Sequence, residues 1–100
     1  MIVLRFKVQC QPDKTEQALA AFRAVTAPSR ALEGVISFDI AQDLADPNSI
    51  IAVEVFADAT ARERQESLPE VATVMSLLPD AITAPPEATV FQISSSAPAI

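Results

Sequence analysis

Histidine, tryptophan and tyrosine are all missing from this chain, and cysteine and glycine occur once each. Each absence closes a class of function. Without histidine there is no histidine–metal site, no Ser–His or Cys–His nucleophile pair, and no use of the commonest general base near neutral pH. With one cysteine, a structural zinc site is out of reach and no intrachain disulfide can form. Cys10 reads as a buried thiol acting as a small hydrophobe. A reactive thiol needs a helix N-terminus or a nearby cation, and only Lys7 is close in sequence. Positive charge is scarce too: seven Lys and Arg against thirteen Asp and Glu give a formal net charge of −6. The basic residues are scattered singly, so nothing offers phosphates or an anionic membrane surface a basic stripe. No apolar run approaches the ~20 residues of a membrane span, and Met1–Arg5 lacks the pattern of a signal peptide. The sequence predicts a cytoplasmic protein that binds neither nucleic acid nor membrane.

What is present is a regular succession of patterns. In residues 2–10, Ile2, Leu4, Phe6, Val8 and Cys10 alternate with Val3, Arg5, Lys7 and Gln9, the period of a strand with two unlike faces. Asp13 and Glu16 predict a capped helix start. Ala18, Leu19, Phe22 and Val25 then form one apolar stripe. Pro28 is expected to end or kink this helix near Ala27. Gly34, the lone glycine, marks a left-handed cap or tight turn. Val35–Gln42 and Ser49–Phe56 read as two strands of a hairpin around the turn cluster Asp43–Asn48. Possible capping boxes at Thr60/Glu63 and Ser67/Glu70 predict a short helix over 60–66 and another from Leu68 to Leu78, stopped by Pro79. Ala88–Ile93 reads as a fourth strand. One domain spans 1–95, and 96–100 is a flexible tail.

The order β-α-β-β-α-β predicts an α+β, ferredoxin-like antiparallel sheet with its helices on one face. Nothing in the chain is left to cover the other face. In the third strand Ile51, Val53 and Val55 are read toward the helices. Ile50, Ala52, Glu54 and Phe56 then share the open face with Arg5, Lys7, Ser37 and Asp39. Such a mixture of apolar and charged groups suits a cavity between two subunits, with charges paired across strands. A homodimer is therefore expected.

The stretch Ala27-Pro28-Ser29-Arg30-Ala31-Leu32-Glu33-Gly34-Val35-Ile36-Ser37-Phe38-Asp39 resembles the helix-to-strand junction of the antibiotic biosynthesis monooxygenase domain. Asp46-Pro47-Asn48 resembles that family's hairpin turn, and Val53-Glu54-Val55-Phe56 resembles its Glu-x-aromatic strand end. Ala61–Pro69 lies where its second helix begins. The resemblance implies a dimeric α+β barrel. It also implies an enzyme that oxidises phenolic or quinol-like aromatics with molecular oxygen, using no metal, flavin or haem. Other relatives degrade haem or isomerise small phosphorylated ketones, and some have no known activity. The chain departs from the pattern at three places. Phe56 stands where tryptophan is common, Phe38 where tyrosine is, and Gln65 near a frequent histidine. Haem degradation with a protein histidine ligand is excluded.

Cofactor-free oxygenation needs a base and donors to hold the anion. Glu54 is the candidate base and Arg5 the candidate anion holder; the alternative is an ion pair between the two. Phe38 and Phe56 line a pocket or pack at the subunit interface. Asp39 and Lys7 form a catalytic pair or a rim pair. Gln65 bonds a small aromatic or apolar ligand or is a solvated helix position. No cofactor is expected. The competing reading is a non-catalytic dimer that binds an apolar ligand or serves as a structural module.

Overall fold

The computed structural model describes residues 1–100. Its elements are β1 (Ile2–Gln9), α1 (Thr15–Arg30), β2 (Val35–Asp43), β3 (Asp46–Phe56), α2 (Ala59–Glu66), α3 (Pro69–Ala81) and β4 (Glu87–Gln92). The four strands form one antiparallel sheet in the order β2-β3-β1-β4. This is the expected ferredoxin-like order, with β1 and β3 at the centre. No helix is long and apolar enough to cross a membrane.

Burial of the α1 stripe builds the core. Ala18, Leu19 and Phe22 pack with Val8, Cys10 and Ile50 of the sheet and with Val74 and Leu78 of α3. A second, smaller cluster joins Ile2, Phe56 and Ala61 at the far end. Cys10 lies within the main cluster, and burial pushes its thiol pKa up, which makes it a poor nucleophile.

Helix ends differ from the sequence expectation in instructive ways. Asp13 does not cap α1. Thr15 instead donates its hydroxyl to Asn48 Oδ1 at 2.8 Å, tying the helix start to β3. Pro28 lies inside α1, which runs on to Arg30. The carbonyl that Pro28 cannot pair belongs to exposed Ala24, where water can satisfy it. The buried Val25 and Ser29 hold the last turn, with Ser29 Oγ donating to the Val25 carbonyl at 2.7 Å. Pro79 is likewise carried inside α3, because Leu78 and Ala81 on either side of it are buried. The cap of α2 is Asp58, whose carboxylate accepts from the Ala61 N–H at 2.9 Å. Neither expected capping box forms. Ser67 closes α2, its hydroxyl donating to the Glu63 carbonyl.

Gly34 has φ of +86°, as its turn requires. A Cβ there would sit 2.6 Å from Ala61 Cβ, so α2 packs directly on this turn. The hairpin is tighter than expected. β3 begins at Asp46, and Asp43 accepts from the Ala45 N–H to close the turn.

Candidate active site

The register decides which side chains meet. In β1 and β3 the pairs are Ile2–Phe56, Leu4–Glu54, Phe6–Ala52 and Val8–Ile50. Directly opposed residues share a face. Val8 and Ile50 pack against α1, so the whole set, Glu54 included, faces the helices. Phe38 is opposite Glu54 and Ile40 opposite Ala52, on the same side.

This reverses the face assigned to β3 from the sequence. Ile51, Val53 and Val55 lie on the open face, while Ile50, Ala52, Glu54 and Phe56 are buried under the helices. The strand is apolar on both sides, so alternation alone could not choose between them. Reading Ile51, Val53 and Val55 toward the helices places Glu54 outward, and the structure buries it. A bulge at Ile36 also turns Val35 toward the helix side, where it packs on the second cluster.

Several candidate pairings fall with that correction. Arg5 opposes Val53 on the open face and is exposed, so the sheet separates it from Glu54. Arg5 neither pairs with Glu54 nor reaches the same space. Lys7 pairs with Asp43 at 3.2 Å rather than with Asp39. Asp39 pairs with Arg30 at 3.1 Å, an exposed contact at the sheet edge. Phe56 is completely buried beside Ile2 and Ala61 and packs as core. Gln65 is not solvated: it is buried and donates to Ser29 Oγ at 3.1 Å.

Between the sheet and the helices lies a cavity of about 420 Å³. That volume lies within the usual range for a small-molecule site. Its walls are mostly apolar, with Phe6, Phe22 and Phe38 as the aromatic surfaces and Leu4, Val74 and Met75 among the rest. Its polar groups are Glu54, Arg62, Gln65 and Glu66. Thus Glu54, Phe38 and Gln65 of the sequence candidates come together, while Arg5, Asp39 and Phe56 do not. Sequence reasoning missed Arg62 and Glu66. The two are four residues apart on α2 and pair at 2.6 Å.

Glu54 is the chemically distinctive group. The residue is buried, with a relative exposure of 7%. No protein donor hydrogen-bonds its carboxyl, and it takes part in no ion pair. Burial raises its pKa to about 7; the nearby Glu66 adds to the rise and Arg62 opposes it. A carboxyl at that value can take a proton near neutral pH and return it. No cluster of His, Cys, Asp and Glu suited to a metal ion occurs in the fold.

The chain matches the model of the antibiotic biosynthesis monooxygenase family over residues 1–76. Its backbone superposes on Rv0793 of Mycobacterium tuberculosis with a TM-score of 0.87, at 18% identity, covering 97% of this chain and 98% of that one. A Nitrosomonas europaea protein described as a candidate antibiotic biosynthesis monooxygenase gives 0.85 at 22% identity, covering 92% and 97%. At these identities the likeness speaks for the fold. An uncharacterised protein of Synechocystis, sll1783, is 26% identical over 95 residues; they make up 95% of this chain and 65% of that relative's length. The matched sequence and the shared fold together place this chain in the antibiotic biosynthesis monooxygenase family.

Proposed function

We propose that the protein is a monooxygenase that oxidises a small aromatic molecule with molecular oxygen, with Glu54 as the base and no bound cofactor. The observation that carries this reading is a buried carboxyl, without a protein partner, facing an apolar cavity lined by phenylalanines. The Glu54 carboxyl lines the cavity and no protein donor holds it, so a ligand that donates a hydrogen bond meets a free acceptor there.

The chemistry follows from the lining. Phe6, Phe22 and Phe38 provide aromatic walls for a flat, apolar body. Glu54 takes the proton from an acidic ring hydroxyl or methylene. The electron-rich anion then reduces oxygen. For a methylene the balance is CH2 plus O2 giving C=O plus H2O, with the Glu54 proton returned to the oxygen that leaves as water. Arg5 has no part in this, since it lies across the sheet.

The test is oxygen uptake with anthrone-like and quinol substrates, comparing the parent with Glu54→Gln. Loss of a general base lowers turnover by about 10²–10⁴-fold. Equal activity in the variant removes Glu54 from the mechanism. A second reading, a ligand-binding module without turnover, is favoured by the scarcity of donors. Only Arg62 and Gln65 offer N–H groups to the cavity, and the Gln65 amide is tied to Ser29. Saturable binding of the same compounds without oxygen uptake supports that reading.

A homodimer belongs to the same proposal. The open face carries Val3, Ile51, Val55, Val53 (39% exposed) and Phe91 (47% exposed), with no element of this chain over them. A second sheet laid on that strip would bury it. Sedimentation should find a dimer, and Val53→Asp should give a folded monomer. A parent that is monomeric at micromolar concentration defeats this part.

A further inference from the structure

The cavity has one cation, and it is not committed to the carboxyl that titrates. Arg62 donates from Nε to Glu66 Oε1 within its own helix, and its Nη groups make no hydrogen bond to the protein. Both partners line the cavity and both are partly exposed, with side-chain exposures of 33% and 45%. An i, i+4 pair this exposed is weak and easily exchanged. The remaining charged group of the lining is Glu54 on β3; β1, β2, β4, α1 and α3 contribute only uncharged side chains.

We infer that Arg62 is the residue that holds the negative charge of a deprotonated ligand hydroxyl, exchanging Glu66 for the ligand as it does so. The inference rests on the reading of Glu54 as the base of this cavity. In the step, the ligand O–H bond breaks and its proton forms a new O–H bond on the Glu54 carboxylate. The electron pair stays on the ligand oxygen. The net charge of the cavity is unchanged, but the charge has moved from Glu54 to the ligand. An anion among phenylalanines is costly unless a cation reaches it. The free fork of Arg62 is the only such group in the lining, and a guanidinium keeps its charge at every relevant pH. Glu66 then acts as the competitor that holds Arg62 back while the cavity is empty. The substrate class follows: an apolar aromatic with an acidic hydroxyl, whose anion sits toward α2.

The probe is 4-nitrophenol, whose phenolate is yellow and whose neutral form is not. Its bound ionisation is titrated by absorbance in the parent, Arg62→Gln and Glu66→Gln. The same variants are titrated in a Glu54→Gln background, where the coupled carboxyl proton is gone. In Arg62→Gln the bound phenolate should become about tenfold less populated at a given pH, a pKa rise of about one unit. In Glu66→Gln it should become more populated, because Arg62 is released. Opposite shifts from the two halves of one ion pair are not what a general loosening of α2 produces. If 4-nitrophenol binds and its ionisation ignores Arg62, or both variants shift it the same way, the assignment of Arg62 is overturned and the cavity reading stands. If the probe does not bind the parent, the cavity reading falls and this inference with it.

Discussion

Asp46 and Glu54 stand near opposite ends of β3, and the protein treats their carboxyls in opposite ways. Asp46 accepts from Gln9 Nε2 at 3.0 Å, from Ser49 Oγ at 2.8 Å and from the Asn48 N–H at 3.0 Å. Those hydrogen bonds, first that of Gln9, hold its pKa below the usual carboxylate range. Its neighbour Asp43 is held low as well, first by the Ala45 N–H and then by Lys7. Glu54 is far more buried, has no such donor, and is raised to about 7. A carboxyl surrounded by donors fastens a turn. Glu54, buried without them, fastens nothing within the chain.

The comparison breaks most visibly in the dependence of stability on pH. The folded protein keeps the Glu54 proton up to about pH 7, whereas the unfolded chain releases it near 4.5. Between those values the folded state holds the extra proton, so stability falls as pH rises and levels off above the higher value. The full span corresponds to at most about 3 kcal/mol. Glu54→Gln should abolish that slope in urea unfolding and make the variant the more stable one at pH 8. A parent whose stability is flat from pH 5 to 8 contradicts the account of Glu54.

A smaller effect is expected where α2 meets the β2 turn and so frames the cavity. Gly34→Ala forces a left-handed backbone on alanine and drives a methyl onto Ala61. It should cost about 1–3 kcal/mol and widen the Glu54 side of the site. Ser29→Ala comes next. It removes the acceptor of the buried Gln65 amide, leaving a donor without a partner at a cost of about 1–2 kcal/mol. If Gln65 turns its amide into the cavity instead, ligand affinity in this variant changes more than stability does. The smallest effect belongs to Asp46→Asn. It should lower stability slightly at neutral pH, and the difference from the parent should shrink as pH falls below the ordinary aspartate range. A loss at pH 7 as large as that of Gly34→Ala would show that the hairpin corner matters more than its exposure suggests.

Much of the fold was legible from period and punctuation. β1 shows a clean alternation, and its two faces lie where that alternation puts them. The stripe of α1 packs as its spacing requires, and Gly34 takes the positive φ that only glycine adopts cheaply. The helix limits at Pro28 and Pro79 were not legible. A proline's cost is local, while the burial that outweighs it involves residues distant in sequence. Of the site, Glu54, Phe38 and Gln65 could be found from their family-like setting. Arg62 and Glu66 could not, because a charged pair on a helix looks the same over a cavity as over water.

The amino-acid order by itself determined the βαββαβ succession and the antiparallel sheet with helices on one face. It also excluded all histidine chemistry. Those outcomes depend on local periodicity, turn residues and composition, which are properties of the chain. Only the tertiary structure decided that Glu54 faces the helices and Arg5 does not. β3 is apolar on both sides, and its orientation comes from register with β1, so the identity of the site waited on how two distant segments pair.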